Sequence, residues 1–330
     1  MILTDKVRSI QQSQKPPAIL VIGDLMIDHY VWGDATRLSP EAPVPIVNVR
    51  SESTTLGGAA NVAQNLVALG AKVTLGGVIG DDIFGEQLTG ILSSEGISTD
   101  AILKDNKRPT TVKTRVVVGS HQLVRVDREV TDPVHSELED ELVDKLDAYI
   151  SEADIVLFSD YGKGLFSSGL TQRLIRLASS KQKKVIIDPK GLDYGKYKGA
   201  FIIKPNRKEL AEAAKTEKIK NIEDLQKAAK TIFQQTGVEY LIVTLSEEGM
   251  VILDEITYKL LPVKATAVFD VTGAGDTVLA TIAYFIASGL AIEEACELAN
   301  HAAAIVIRRV GSATTTIDEI IEDIEGALGH

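Results

Sequence analysis

Cysteine is almost missing from this chain. Cys296 is the only one in 330 residues. It sits in an apolar helical pattern and reads as a small buried hydrophobe, so disulfides and cysteine-rich metal sites are excluded. A basic excess is missing too. Lys and Arg number 35 against 46 Asp and Glu, a net charge of −11, which disfavours a nucleic-acid partner. An acidic enzyme that binds anions must then place its positive groups locally. No apolar stretch approaches membrane-spanning length, so no membrane partner is expected. The run Ala18 to Ile22 is short and stops at Gly23-Asp24, so no signal peptide is expected and the chain reads as cytoplasmic. No Gly-x-Gly-x-x-Gly follows a strand, and no Walker A sequence occurs. Internal repeats, low-complexity stretches and long linkers are absent as well.

What is present alternates. Ala18 to Gly23 has the β-branched pattern of a strand buried on both faces. Asp24 and Asp28 follow at its carboxyl end, where open α/β sheets bind ligands and where acids can accept hydrogen bonds from sugar hydroxyls. Tyr30 to Ser53 holds Pro40, Pro43 and Pro45, which exclude a helix and confine any strand to a sheet edge. A small β-flap is expected there. Gly57-Gly58-Ala59-Ala60-Asn61 opens a helix over Ala59 to Leu69, ended by Gly70. Its small residues would let a polar ligand approach the backbone, and Asn61 can donate and accept at once, as a polyol site needs. A strand over Ala71 to Ile79 and a helix over Asp82 to Ser94 come next. Thr110 to Val118 and Gln122 to Asp127 alternate around Gly119-Ser120 as a hairpin. Its polar positions and flank carry Lys113, Arg115, Arg125 and Arg128, a basic cluster suited to a substrate phosphate.

From Ser136 onward helices and strands alternate. Helices are expected over Ser136 to Ile150, Ser167 to Ser179, Arg207 to Ala214 and Ile222 to Gln235. Strands are expected over Asp154 to Ser159, Lys184 to Asp188, Phe201 to Ile203, Tyr240 to Thr244 and Met250 to Leu253. Helices Ile292 to Arg309 and Ile317 to Leu328 close the chain. This order implies an α/β fold with a mainly parallel central sheet and helices on both faces. Several strands end in polar residues, Asp160, Asp188, Asn206 and Thr244, which would share one edge of that sheet. Asn206 and Glu209, spaced i, i+3, share a helix face and could hold water around Mg²⁺.

The chemical centre is Asp270-Val271-Thr272-Gly273-Ala274-Gly275-Asp276-Thr277. It follows strand-like Ala267 to Phe269 and opens the apolar helix Val278 to Ala287. The glycines allow a tight turn, and amides at a helix start attract an anion. Asp276 lies among those amides, which should keep it ionised. Amides to hold a phosphate beside a carboxylate to take a proton are what phosphoryl transfer to a hydroxyl requires.

With these residues in place the chain resembles the ribokinase-like (PfkB) carbohydrate kinase family over nearly its whole length. The glycine-rich Gly57 to Asn61, Asn206-Arg207-Lys208-Glu209 and Asp270 to Asp276 match that family's signatures. The resemblance implies one kinase domain over residues 1–330 with a β lid from about 30–56 and 109–130, a lid that often also joins two copies as a homodimer. It implies Asp276 as general base, with Gly273, Ala274 and Gly275 as an anion hole. It implies Asp28, Gly57, Gly58 and Asn61 for the sugar, and Lys113 and Arg125 for a distal phosphate. ATP would be served by Asn206, Glu209, Thr244, Ser246, Gly249, Asn300 and Ala303, with Mg²⁺ held through water by Asn206 and Glu209. Asp270 and Gly311 stand in positions suited to the K⁺ that some relatives bind. Ser39 to Pro45, Gln122 to Asp127, Ser159 to Gly164 and Ile187 to Gly191 look like the heptose 7-phosphate kinases of lipopolysaccharide precursor synthesis. The substrate so implied is D-glycero-β-D-manno-heptose 7-phosphate. The chain ends at His330 without the nucleotidyltransferase often fused to such kinases, and so looks like the stand-alone form. A kinase for ribose or fructose, a non-catalytic sugar-binding regulator and a nicotinamide-dependent oxidoreductase are the rival readings, the last weakened by the missing fingerprint.

Overall fold

The computed structural model describes residues 3–12, 15–119, 121–263 and 268–328. Helix α1 (Leu3–Gln11) leads to β1 (Ala18–Gly23), then β2 (Leu25–Leu38), β3 (Pro45–Gly58) and α2 (Ala59–Ala68). Next come β4 (Lys72–Gly80), α3 (Ile83–Ser94), β5 (Ser98–Asp105), β6 (Thr111–Val118) and β7 (His121–Arg128). The alternating part runs α4 (Ser136–Glu152), β8 (Ile155–Ser159), α5 (Ser168–Ser180), β9 (Lys184–Asp188), β10 (Ile202–Ile203), α6 (Arg207–Ala213) and α7 (Ile222–Thr236). It ends with β11 (Tyr240–Thr244), β12 (Met250–Leu253), β13 (Tyr258–Leu261), α8 (Ala274–Ala287), α9 (Ile292–Val306) and α10 (Ile317–Leu328).

Nine strands form the main sheet in the order β13-β12-β11-β10-β9-β8-β1-β4-β5. All neighbours from β11 to β5 are parallel, and the β11–β12–β13 end is antiparallel. Alternate side chains of β1 serve opposite faces. Ile19 and Val21 pack with α2, α8, α9 and α10, whereas Leu20 and Ile22 pack with α4, α5, α6 and α7. A strand apolar at every position is therefore the signature of a sheet covered on both sides. The α/β fold with a mainly parallel sheet is as the alternation implies.

The smaller sheet has the order β3-β2-β6-β7, with β2 and β6 parallel and the other pairs antiparallel. Pro40 and Pro43 fall in the connection between β2 and β3, and Pro45 opens β3, an edge strand where a missing N–H is tolerated. The expected flap and hairpin thus join in one sheet. Asp28 is not at the end of β1. It lies in β2, opposite Thr55 on one side and Lys113 on the other. The turn at Gly119-Ser120 involves Ser120, which lies outside the described residues.

The elements α1, β5, β13 and a 3₁₀ turn over Tyr194–Tyr197 are not expected from the sequence. β13 is a four-residue edge strand with Tyr258 and Leu260 exposed, too short to carry a pattern. Val268 and Phe269 are not in a strand and are exposed; Ala267 lies outside the described residues. Helix α8 begins at Ala274, so Asp276 is inside its first turn.

Candidate active site

Carboxyl ends of β8, β9, β10 and β11 meet the start of α8 around a cavity of about 210 Å³. Its walls include Asp160, Tyr161, Asp188, Lys204, Asn206, Glu209, Thr244, Gly273, Gly275 and Asp276. The four polar strand ends expected to share an edge do so.

Gly273 caps α8 in the left-handed region at φ 76°, and a Cβ there would lie 3.0 Å from Nδ2 of Asn61. Among the described residues the backbone N–H groups of Gly273, Gly275 and Asp276 have no hydrogen-bond partner. Ala274 differs from the expectation: its N–H donates to the Val271 carbonyl at 3.2 Å, closing the turn. Two of the three expected amides therefore remain open.

Asp276 is buried, and each of its carboxyl oxygens is held. Asn61 Nδ2 donates to Oδ2 at 2.6 Å, and the Tyr161 hydroxyl donates to Oδ1. Burial pushes its carboxyl above the usual range, opposed by Tyr161, Asn61 and the ammonium of Lys204. The amides at the helix start alone do not decide its ionisation, as the sequence had implied; loss of water is the larger effect. Asn61, expected to face a sugar, is turned onto Asp276. One turn further, Thr277 Oγ1 donates to Asn65 Oδ1 at 2.8 Å, tying α8 to α2 a second time.

Asn206 and Glu209 form a capping box. Asn206 Oδ1 accepts from the Glu209 N–H at 2.9 Å, and Glu209 Oε2 accepts from the Asn206 N–H at 3.0 Å. Glu209 Oε1 also takes the Lys190 ammonium at 2.9 Å. Both residues reach the cavity, with oxygen donors of the kind Mg²⁺ prefers through water. Among the described residues no group of three His, Cys, Asp or Glu could hold a metal directly. Asp188 pairs with buried Lys204 at 3.1 Å, and burial, only partly offset by Lys204, pushes its carboxyl up to about 7.

Thr244 lines the cavity, but Ser246, Gly249, Asn300 and Ala303 do not. Two of these meet at the Leu261 carbonyl. A Cβ on Gly249, whose φ is 92°, would lie 2.2 Å from the Leu261 carbonyl, and Asn300 Nδ2 donates to that same oxygen at 3.1 Å. Ser246 accepts from the Gly249 N–H in the turn before β12. Ala303 is half-buried one turn beyond Asn300 on α9. Asp270 and Gly311 do meet: Asp270 Oδ2 accepts from the Gly311 N–H at 2.9 Å, and Oδ1 accepts from Thr272.

The smaller sheet brings Asp28 close beside Gly57, where a Cβ would sit 2.8 Å from Oδ2 of Asp28. Gly58 is left-handed at φ 58°. Every member of the basic cluster already has an acid. Lys113 lies 3.2 Å from both Asp127 and Glu129, Arg125 binds Asp127 through two nitrogens, Arg128 binds Asp82, and Arg115 binds Asp28. Charges expected to await a phosphate are thus paired with acids of this chain: Lys113 with Asp127 across the β6–β7 register, Arg125 with Asp127 along the same strand.

Sequence reading assigned no role to Tyr161, Lys204 or Asn65. Asp24 proves to be an anchor: Oδ2 accepts the N–H groups of Tyr161 at 2.8 Å and Lys163 at 3.1 Å, and burial followed by Asp160 pushes its carboxyl up to about 6. A lysine before Pro205, and a tyrosine one residue beyond the Asp160 singled out, were the available signals.

Among the described residues no helix is long and apolar enough to cross a membrane. The model of the pfkB family carbohydrate kinases matches residues 17–319. The bifunctional protein HldE of Helicobacter hepaticus is 48% identical over 310 residues, 94% of this chain and 64% of that protein. HldE of Wolinella succinogenes is 44% identical over 313 residues, 95% of this chain and 66% of that protein. The chain thus spans just under two thirds of the length of these relatives. Arabidopsis thaliana ribokinase complexed with ribose and ATP superposes with a TM-score of 0.74 at 19% identity, covering 94% of this chain and 99% of that one. Phosphofructokinase-2 from Escherichia coli in complex with potassium gives 0.77 at 18%, covering 96% and 100%. These two share the fold. Because the family match runs from the start of β1 through every strand end around the cavity and on into α10, the chain belongs to the pfkB family of carbohydrate kinases, phosphotransferases that act on an alcohol group.

Proposed function

We propose that the chain transfers the γ-phosphoryl group of ATP to O1 of D-glycero-β-D-manno-heptose 7-phosphate, giving the 1,7-bisphosphate. The carrying observation is buried Asp276 sharing one cavity with the open N–H groups of Gly273 and Gly275. Asp276 accepts the proton of the O1 hydroxyl as the new O–P bond forms and the bond to ADP breaks. The open amides, with Ala274 fixing their turn, hold the transferring oxygens; one such donor is typically worth ~3–4 kcal/mol to the transition state. Asp28, Gly57, Gly58 and Asn61 bound the sugar. Asn206, Glu209 and Thr244 face the nucleotide phosphates, and Ser246, Gly249, Asn300 and Ala303 face its ribose and base. Mg²⁺, held through water by Asn206 and Glu209, would neutralise phosphate charge. K⁺ would sit by the Asp270–Gly311 contact. Use of ATP fits a cytoplasmic location.

The heptose reading rests on the four motifs that carry the closer resemblance, and identity of 44–48% to HldE proteins supports it. In this reading Lys113 and Arg125 exchange Asp127 for the 7-phosphate, an Arg or Lys to phosphate contact of the strong, charge-assisted kind. Their present pairing with Asp127 favours a second reading, in which the sugar has no distal phosphate. ADP release over a panel of sugars, run in KCl or NaCl and with or without a Mg²⁺ chelator, separates them. The expected result is turnover with heptose 7-phosphate far above that with ribose or fructose, lost with chelator and higher in KCl. Preference for an unphosphorylated sugar rejects the phosphate role of the lid.

The outer lid also exposes Val49, Val124 and Val126, which supports pairing of two lids in a homodimer. Sedimentation velocity should give twice the chain mass, and Val124→Lys should give the single-chain mass. A monomeric unmodified protein rejects the pairing.

A further inference from the structure

Tyr161 stands on the loop after β8, and that loop is tied at several points. Asp24 takes the N–H groups of Tyr161 and Lys163, while Asp160 Oδ1 takes the N–H of Gly162 at 2.7 Å. Asp160 is itself gripped by the Lys196 ammonium at 2.6 Å and the Tyr197 hydroxyl at 2.7 Å. Gly162, at φ 67°, makes the turn that this requires. The backbone being fixed, the phenol is delivered to Asp276 Oδ1, opposite the Asn61 amide on Oδ2.

We propose that Tyr161 is a positioning residue for phosphoryl transfer: its hydroxyl holds Asp276 ionised and turned so that its remaining lone pairs face the incoming alcohol. The inference rests on Asp276 being the proton acceptor. A buried carboxylate has lost its water, and donors to the charged form restore what the water gave. Tyr161 keeps its proton here, because burial and the charge of Asp276 push its phenol well above the ordinary range, and toward an ionised carboxylate, which has no hydrogen to give, it can only donate. The other charges that face this pair are Lys204 at the end of β10, Asp188 at the end of β9 and Asp28 in β2. Tyr161 takes no proton in the reaction; the alcohol proton goes to Asp276.

The test is Tyr161→Phe, which removes one oxygen. A donor to the ionised form has been lost, so the Asp276 carboxyl should titrate higher by about one pH unit, the size expected of one hydrogen bond to a charge. The acid limb of kcat should move up equally, lowering turnover about tenfold below the limb and much less above it. KM for ATP and for the sugar should change by less than about twofold, since neither is held by the phenol. Titration of the Asp276 carboxyl is followed by ¹³C NMR without any substrate, its signal assigned by loss in Asp276→Asn. That readout stands even if no sugar is turned over, an outcome that would defeat the substrate reading alone. Site-specific 3-fluorotyrosine, of nearly the same shape but a stronger donor, should shift both profiles the opposite way and covers the case in which the Phe variant does not fold. An unmoved titration in the folded variants, or a rate loss equal at all pH values, overturns the proposal.

Discussion

Asp276→Asn is expected to bind ATP and sugar with little change while kcat falls by ~10²–10⁴, the usual contribution of a general base. An amide has almost the shape of the carboxyl. Its oxygen can keep the bond from Asn61, and the Tyr161 hydroxyl can rotate to accept from the new NH₂. The site should therefore stay formed. Stability should hold or rise at pH 8, because burial works against the ionised acid and a neutral isostere escapes that penalty. Calorimetry, a melting curve and steady-state rates read the three parts. A variant with near-normal kcat would remove Asp276 from the chemistry.

The second large effect is expected of Lys204→Met. Lys204 is 3% exposed and faces Asp188, whose carboxyl burial pushes up to about 7 from its ordinary 3.8. A carboxyl raised in this way favours the fold while protonated and loses that contribution as pH rises through its folded value. Without the ammonium the folded value climbs further. Below about pH 6 Asp188 carries its proton with or without Lys204, so the loss should be small there. By pH 8.5 it should reach roughly 3 kcal/mol, as for a buried pair deprived of one partner. Lys204 also favours the charged form of Asp276, so the acid limb of kcat should rise as well. Melting curves at pH 6 and pH 8.5 decide it. An equal loss at both, or none at pH 8.5, would show that the pair carries no such strain.

Much of the fold was legible because burial on two faces forces a pattern that local sequence cannot hide. β9, β11 and β12 were found to the residue, since each is an apolar run bounded by polar or turn residues, and so was α10, whose Ile317, Ile320, Ile321 and Ile324 recur at helical spacing between acids. β13 and β5 were not, because edge strands need bury little. The boundary of α8 was misplaced because Gly273, Ala274 and Gly275 look like a loop. They are helical from Ala274 onward because the left-handed Gly273 supplies the turn.

The same division runs through the site. The sequence by itself determined the two-faced sheet and the glycine-flanked acid at a helix start, because these depend on periodicity and on local backbone freedom. It also brought the polar strand ends to one edge, since parallel strands must finish together. Only the tertiary structure decided that Asn61 turns onto Asp276, that Tyr161 caps its other oxygen, that Ala274 is spent on the turn and that Asp127 and Glu129 occupy Lys113 and Arg125. The Asn61, Tyr161 and Lys113 contacts join residues far apart in the chain or on neighbouring strands, and the local Ala274–Val271 and Arg125–Asp127 contacts are set by the turn and strand they sit in; in each case competing partners of similar chemistry are separated by geometry alone. Whether a buried charge is sheltered or isolated is a property of such neighbours.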